Sequence, residues 1–92
     1  MTLASKLCLM DVEHVHFVPR ELSENTLYVS REYEVAVHLC ACGCRGKTVT
    51  PIDASGWAFT ETEQGATLSP SISNWQTCGA HYWIRDGKAV PA

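Results

Sequence analysis

Short runs of apolar and β-branched residues, broken by turn formers, set the pattern of this chain. The stretch Leu7–Val18 is rich in such residues and alternates from Val12 to Val18, which predicts a strand over its later half. Pro19–Asn25 is a turn-rich link into a second short strand, Thr26–Ser30. Ser30 is placed to cap a helical turn over Arg31–Glu34, with acidic residues in the favoured first turn. The alternative is that Tyr33, Val35 and Val37 continue as a strand, and periodicity alone does not separate the two.

Further along, Lys47-Thr-Val-Thr-Pro-Ile52 predicts a strand stopped by Pro51. Trp57–Thr62 and Ala66–Ser69 predict a hairpin around Glu63-Gln-Gly65. The last signal is the clearest. Tyr82–Arg85 and Lys88–Val90 flank Asp86-Gly87, a pair suited to a tight turn in which both central residues take positive φ. The expected fold is a β-rich small α+β single domain over residues 1–92, its short strands and hairpins organised around a structural zinc site.

Composition adjusts this picture in three ways. A chain of 92 residues has a thin stability margin, which small domains often widen with a metal or a disulfide. The formal net charge of −3, with Lys and Arg scattered, argues against a nucleic-acid partner. No apolar run approaches the roughly 20 residues of a membrane span, and the N-terminal stretch lacks the charged leader and cleavage pattern of a signal peptide. The expectation is a cytoplasmic protein with no membrane partner. In that reducing compartment, 5 cysteines point to metal binding or catalysis more than to disulfides.

Four cysteines carry the metal expectation. Cys40, Cys42 and Cys44 alternate behind His38, and Cys78-Gly-Ala-His81 offers a second group from distant sequence. Thiolates at alternate positions of a flat strand stand about 6–7 Å apart, too far for a tetrahedral ion with Zn–S bonds near ~2.3 Å. The backbone must bend there, and Gly43 and Gly46 permit it. The preferred set is Cys40, Cys42, Cys44 and Cys78, holding structural Zn²⁺. The rival set replaces one cluster cysteine with His81, because Cys78-x-x-His81 is a common ligand spacing. Zinc is favoured over an iron–sulfur cluster, although thiolates accept both. Cys8, among Leu7, Leu9 and Met10, reads as a small buried hydrophobe.

Leu27-Tyr-Val-Ser30, His38-Leu-Cys-x-Cys-Gly-Cys44, Val49-Thr-Pro51, Pro70-Ser-Ile-x-Asn-Trp75 and Cys78-x-x-His-Tyr-Trp-Ile84 together resemble a family of short bacterial proteins of formerly unknown function. The resemblance runs from about His16 to the end of the chain. Members are encoded beside ubiquitin-like proteins and their conjugation enzymes, in operons linked to antiphage defence, and are similar to proposed serine–histidine dyad peptidases. The resemblance implies cleavage of a ubiquitin-like protein or its conjugate. Two positions depart from it: Ala80 stands where the family usually has Ser, and Ser73 where it usually has Gly.

A serine nucleophile needs a base within hydrogen-bond reach, and neutral histidine is the usual one near pH 7. Adjacent strand residues face opposite ways, so a nucleophile at position 80 beside His81 is geometrically awkward. Ser71 is therefore the favoured nucleophile, with His81 or His38 as base, whichever is not bound to metal. The amides from Ser71 to Asn74, or the Asn74 side chain, are candidate oxyanion donors. Plainer roles stand beside each of these. Ser71 and Asn74 suit turns, His81 suits a metal ligand, and His38 suits a hydrogen-bonded core position. His14 and His16 suit structural or exposed positions, and Trp57, Trp75 and Trp83 suit the core.

Two functions of different classes follow. One is a zinc-stabilised serine peptidase for a ubiquitin-like protein. The other is a non-enzymatic zinc module that binds such a protein or its conjugation enzymes, using aromatics such as Tyr28 or Tyr33. A hydrolytic zinc enzyme with Glu32 or Glu34 as base is a third, weakened by the closed character of a thiolate site.

Overall fold

The computed structural model of the chain describes residues 8–41, 43–74 and 78–91, with only the backbone of Cys8. Nine strands make up the architecture of these residues: β1 (Cys8–Leu9), β2 (Asp11–His14), β3 (Thr26–Ser30), β4 (Val35–Leu39), β5 (Lys47–Pro51), β6 (Ala58–Thr62), β7 (Gly65–Ser73), β8 (His81–Arg85) and β9 (Lys88–Pro91). They form one sheet of order β1-β9-β8-β7-β6 and another of order β2-β3-β4-β5. All neighbours are antiparallel except β2 and β3.

The two sheets share one core. Leu27, Val29 and Ala36 come from the four-stranded sheet, and Ala66, Leu68, Ile72, Tyr82, Ile84 and Ala89 from the five-stranded sheet. Met10 is buried where the chain leaves β1 in one sheet and enters β2 in the other. Its N–H is held by Gly87 O at 2.8 Å.

The α+β expectation does not hold: among the described residues the fold is all-β, with no helix. The reason lies at Ser30. Its Oγ does accept the Tyr33 N–H at 3.3 Å, as a helix cap would, while donating to His16 O at 2.8 Å. Glu34, however, takes a positive φ of 51°, which reverses the chain so that Val35 pairs with Ser30. Four residues cannot repay the cost of nucleating a helix, whereas the reversal opens a ladder between β3 and β4.

The predicted hairpins form at the predicted turns. Asp86 and Gly87 have φ of 50° and 78°, as a turn with two left-handed residues requires. This turn packs on the one between β6 and β7. A Cβ on Gly65 would lie 2.5 Å from Gly87 Cα, so the two backbones touch where a side chain would stand. In β5 the inward residues are Thr48 and Thr50, with Val49 facing solvent. Thr50 Oγ1 satisfies itself by donating to Ala36 O at 2.8 Å.

Candidate functional site

The site lies where β4, β7 and β8 end or begin. After β4 the chain bends sharply: Cys40 N–H donates to Gly46 O at 2.8 Å and Gly43 N–H to Cys40 O at 3.1 Å. Gly43 and Arg45 take positive φ. This curl turns Cys44 back toward Cys40, and Gly46 N–H donates to Cys44 Sγ at 3.4 Å. Cys78 reaches the pair from the loop between β7 and β8, with its Sγ 3.5 Å from Cys40 Sγ.

The sulfurs of Cys40, Cys44 and Cys78 all lie within 4.8 Å of one another, and all three residues carry thiols. A tetrahedral ion with metal–sulfur bonds near ~2.3 Å needs ligand atoms about 3.8 Å apart. Cys40 and Cys78 stand near that spacing at 3.5 Å with Cys44 within 4.8 Å of both, a cluster that could hold a metal ion, and soft thiolates suit zinc. Cys42 lies outside the described residues. Cys40 is buried, while Cys44 and Cys78 are exposed.

Ser71 and His81 meet on the other side of the same loop. Ser73 pairs with His81 across β7 and β8, so Ser71, two residues earlier, stands diagonal to His81 on the same face. Ser71 Oγ lies 2.8 Å from His81 Nε2, and the bond is open to solvent. The residue before this histidine, Ala80, packs against the core instead. The described residues at the two ends of the loop between these strands are tied together. Asn74 N–H donates to Ala80 O at 2.8 Å, Gly79 N–H to Asn74 O at 2.9 Å, and Asn74 Nδ2 to Thr48 Oγ1 at 3.1 Å. The Asn74 amide is thereby directed to β5.

His38 occupies a different environment. It is fully buried on β4, and its Nε2 lies 2.7 Å from Tyr82 Oη. Tyr82 and His81 are neighbours on β8, one buried and one exposed, so His38 and Ser71 approach β8 from opposite faces. Desolvation lowers the pKa of His38 to about 4, so this imidazole is neutral near pH 7. Burial pushes the Tyr82 hydroxyl far above the ordinary phenol range, with the Ala41 N–H opposing and the nearby Cys40 reinforcing the shift. The phenol is therefore protonated. Its oxygen also receives the Ala41 N–H at 3.4 Å, at the first residue past Cys40.

The other candidates are dispersed. His14 pairs with Glu61 at 2.7 Å and His16 with Glu32 at 2.8 Å, all on the surface. Glu34 is exposed in the β3–β4 turn. Trp57 and Trp83 are half-buried, the latter under the Arg85 guanidinium at 4.7 Å, and Trp75 lies outside the described residues. Tyr33 is exposed, but Tyr28 is 4% exposed, with its Oη accepting the Ser23 N–H at 2.9 Å. Tyr82 escaped notice in the sequence. The signal was present: strand alternation over His81–Arg85 turns Tyr82 inward, and a buried phenol needs a partner.

Comparison with known proteins adds one finding. A family model described as BubE, bacterial ubiquitination-like system serine protease, matches residues 14–92. No curated protein and no solved structure matches the chain.

Proposed function

Because the chain belongs to the bacterial ubiquitination-like system serine protease family, we propose that it is a peptidase in which Ser71 attacks and His81 is the base. Its substrate in this reading is a ubiquitin-like protein, either as a precursor or joined to a target. The observation that carries it is the 2.8 Å separation of Ser71 Oγ and His81 Nε2 on an exposed face. That distance lets the serine O–H donate to a neutral imidazole, the ground state for proton transfer.

As Ser71 Oγ bonds to the scissile carbonyl carbon, its proton passes to His81 Nε2. Collapse of the tetrahedral adduct breaks the bond to the leaving amine, which takes the proton from His81. Water then attacks the acyl-serine with His81 again as base, which releases the carboxylate and restores the serine. Three thiols support a structural zinc at Cys40, Cys44 and Cys78, with Cys42 as the fourth ligand. Held by these residues, a zinc ion would tie the end of β4 to the loop just before His81 and so would steady the base. His38 serves on the core side, as the partner of Tyr82. A cytoplasmic setting keeps these thiols reduced.

The test is incubation of the purified chain with its cognate ubiquitin-like protein carrying a C-terminal extension. Wild type releases the extension, and Ser71→Ala and His81→Ala each lower the rate on the order of 10³-fold. Full cleavage by Ser71→Ala overturns the assignment. One observation favours the non-enzymatic reading: Phe17 and Tyr33 are both exposed with ring centroids 5.5 Å apart, a surface suited to binding. Tight binding of the ubiquitin-like protein with no turnover selects that reading.

A further inference from the structure

Strand β7 is longer than its neighbour β6. Pairing between them ends at Ala58 with Ser69, and the chain before Ala58 turns off toward β5, with Trp57 N–H donating to Pro51 O at 2.7 Å. Residues 70–73 of β7 therefore have β8 on one side only. Beyond them, Asn74 Nδ2 meets Thr48 Oγ1 of β5, so the far end of this stretch is tied to β5.

The direction of the backbone groups follows from the ladder. Asn74 N–H donates to Ala80 O, which makes Ser73 and His81 a pair that exchanges no backbone hydrogen bonds. The Ser73 N–H and C=O thus point away from β8, toward the side that β6 has vacated. Among the described residues no backbone group meets Ser73 there. Ser69, Pro70 and Ser73 are all exposed. Two residues along the same strand stands Ser71, hydrogen-bonded to His81.

We propose that the vacated edge of β7 at residues 70–73 is the substrate-binding subsite, and that its occupant is an extended peptide segment added to the sheet as a further strand. The segment exchanges backbone hydrogen bonds with the Ser73 N–H and C=O, which sets a carbonyl of its own beside Ser71. An unpaired strand edge selects an extended backbone and tolerates many side chains. Such an edge cannot accept a helix or a folded loop, so the segment is a flexible tail of the substrate. This inference rests on the peptidase reading and gives it a binding mode.

The edge is tested with coumarin amides of the C-terminal tail of the cognate ubiquitin-like protein, each methylated at one backbone nitrogen. Strand addition makes the effect alternate: methylation of a nitrogen facing β7 lowers kcat/KM at least about tenfold, that of its neighbours less than about twofold. Ser73→Pro removes only the outward N–H of an edge position and is expected to lower kcat/KM similarly. Its thermal unfolding and fluorophosphonate labelling of Ser71 show that the fold and the nucleophile survive. A flat methylation series, with Ser71 still labelled and the peptides still cleaved, overturns the edge subsite and leaves the peptidase reading standing. If nothing is cleaved, the peptidase reading fails, and docking is judged on the Ser71→Ala variant. Slowed exchange of the Ser73 amide on adding the unmethylated peptide then supports the edge, and unchanged exchange overturns it. A dimer that already protects this amide without peptide also overturns the proposal.

Discussion

His38 and Tyr82 meet 2.7 Å apart, Nε2 to Oη, and neither side chain reaches solvent. The rings are edge-on, with centroids 6.0 Å apart and planes at 80°. This pair joins β4 of one sheet to β8 of the other, behind the strand face that presents His81. Tyr82→Phe keeps the ring and removes the hydroxyl, which leaves His38 Nε2 buried without its partner. The expected cost is about 1–3 kcal/mol, read as a lower urea midpoint with an unchanged slope. Replacing both partners, His38→Leu with Tyr82→Phe, should cost less than the two single changes added together. Additive costs would show that the two side chains do not depend on each other.

His38 should also resist protonation. Burial lowers its folded pKa to about 4, below the ordinary value of 6.5 that it regains on unfolding. The unfolded chain therefore binds a proton as pH falls below 6.5, while the folded chain does not until about 4. The sign is that of stability lost on acidification across this window, with none lost above it. The direct check is the imidazole ¹⁵N shift of His38, which should keep its neutral pattern at pH 5.5. A protonated His38 at that pH would mean that water reaches the side chain.

The contact between the two hairpin turns gives a third expectation. A Cβ on Gly65 would lie 2.5 Å from Gly87 Cα and 2.8 Å from Gly87 N, and Gly65 has φ of 121°. Gly65→Ala meets rigid backbone on one side and an unfavourable conformation on the other. It should cost well over about 1 kcal/mol in stability. Because Gly87 also carries the ladder through Met10 N–H and Ala66 O, amide exchange should rise at Met10 and Gly87 together. A melt unchanged by this substitution would show that the turns are not in contact.

What the sequence could reveal follows the range of the interactions. Asp86-Gly87 was legible because both turn residues act locally, on their own φ. The bent cysteine cluster was legible for a similar reason, since thiol spacing and glycines lie in one short run. The Arg31–Glu34 segment stayed open between a helical turn and a strand because Ser30 makes the same hydrogen bond in a helix cap and in this reversal. In β5, Thr48 and Thr50 go inward past Val49, an inversion that hydropathy cannot foresee, because it depends on Asn74 and Ala36 O as partners. The relation of Ser71 to His81 depends on register. Continued from Leu68 and Ile84, the ladder would set Ser71 straight across from His81. The irregularity before Ile72 instead pairs His81 with Ser73 and leaves Ser71 diagonal. Pro70, which lacks an N–H, sits in that irregular stretch.

Metal removal should act on both stability and the placement of His81. Cys40 and Cys44 flank the curl after β4, and Cys78 precedes His81 by three residues, so an ion across these sulfurs clamps the start of β8. Protein purified without chelator should carry about one zinc per chain. At free zinc a thousandfold above Kd, the ion contributes about 4 kcal/mol, on the order of 20 °C in Tm for a chain of this size. Chelation, or Cys78→Ser, should remove most of that shift and broaden the His81 ring signals before the core signals of Leu68 and Ile84 change. Cobalt substitution supplies an independent check, because tetrahedral thiolate ligation gives intense visible absorption that Cys40→Ser and Cys44→Ser weaken. Absence of bound metal, with a melt indifferent to chelator, would leave Cys40, Cys44 and Cys78 as packed thiols. His81 would then owe its position to its pairing with Ser73 across β7 and β8 and to the Asn74–Ala80 and Asn74–Thr48 hydrogen bonds.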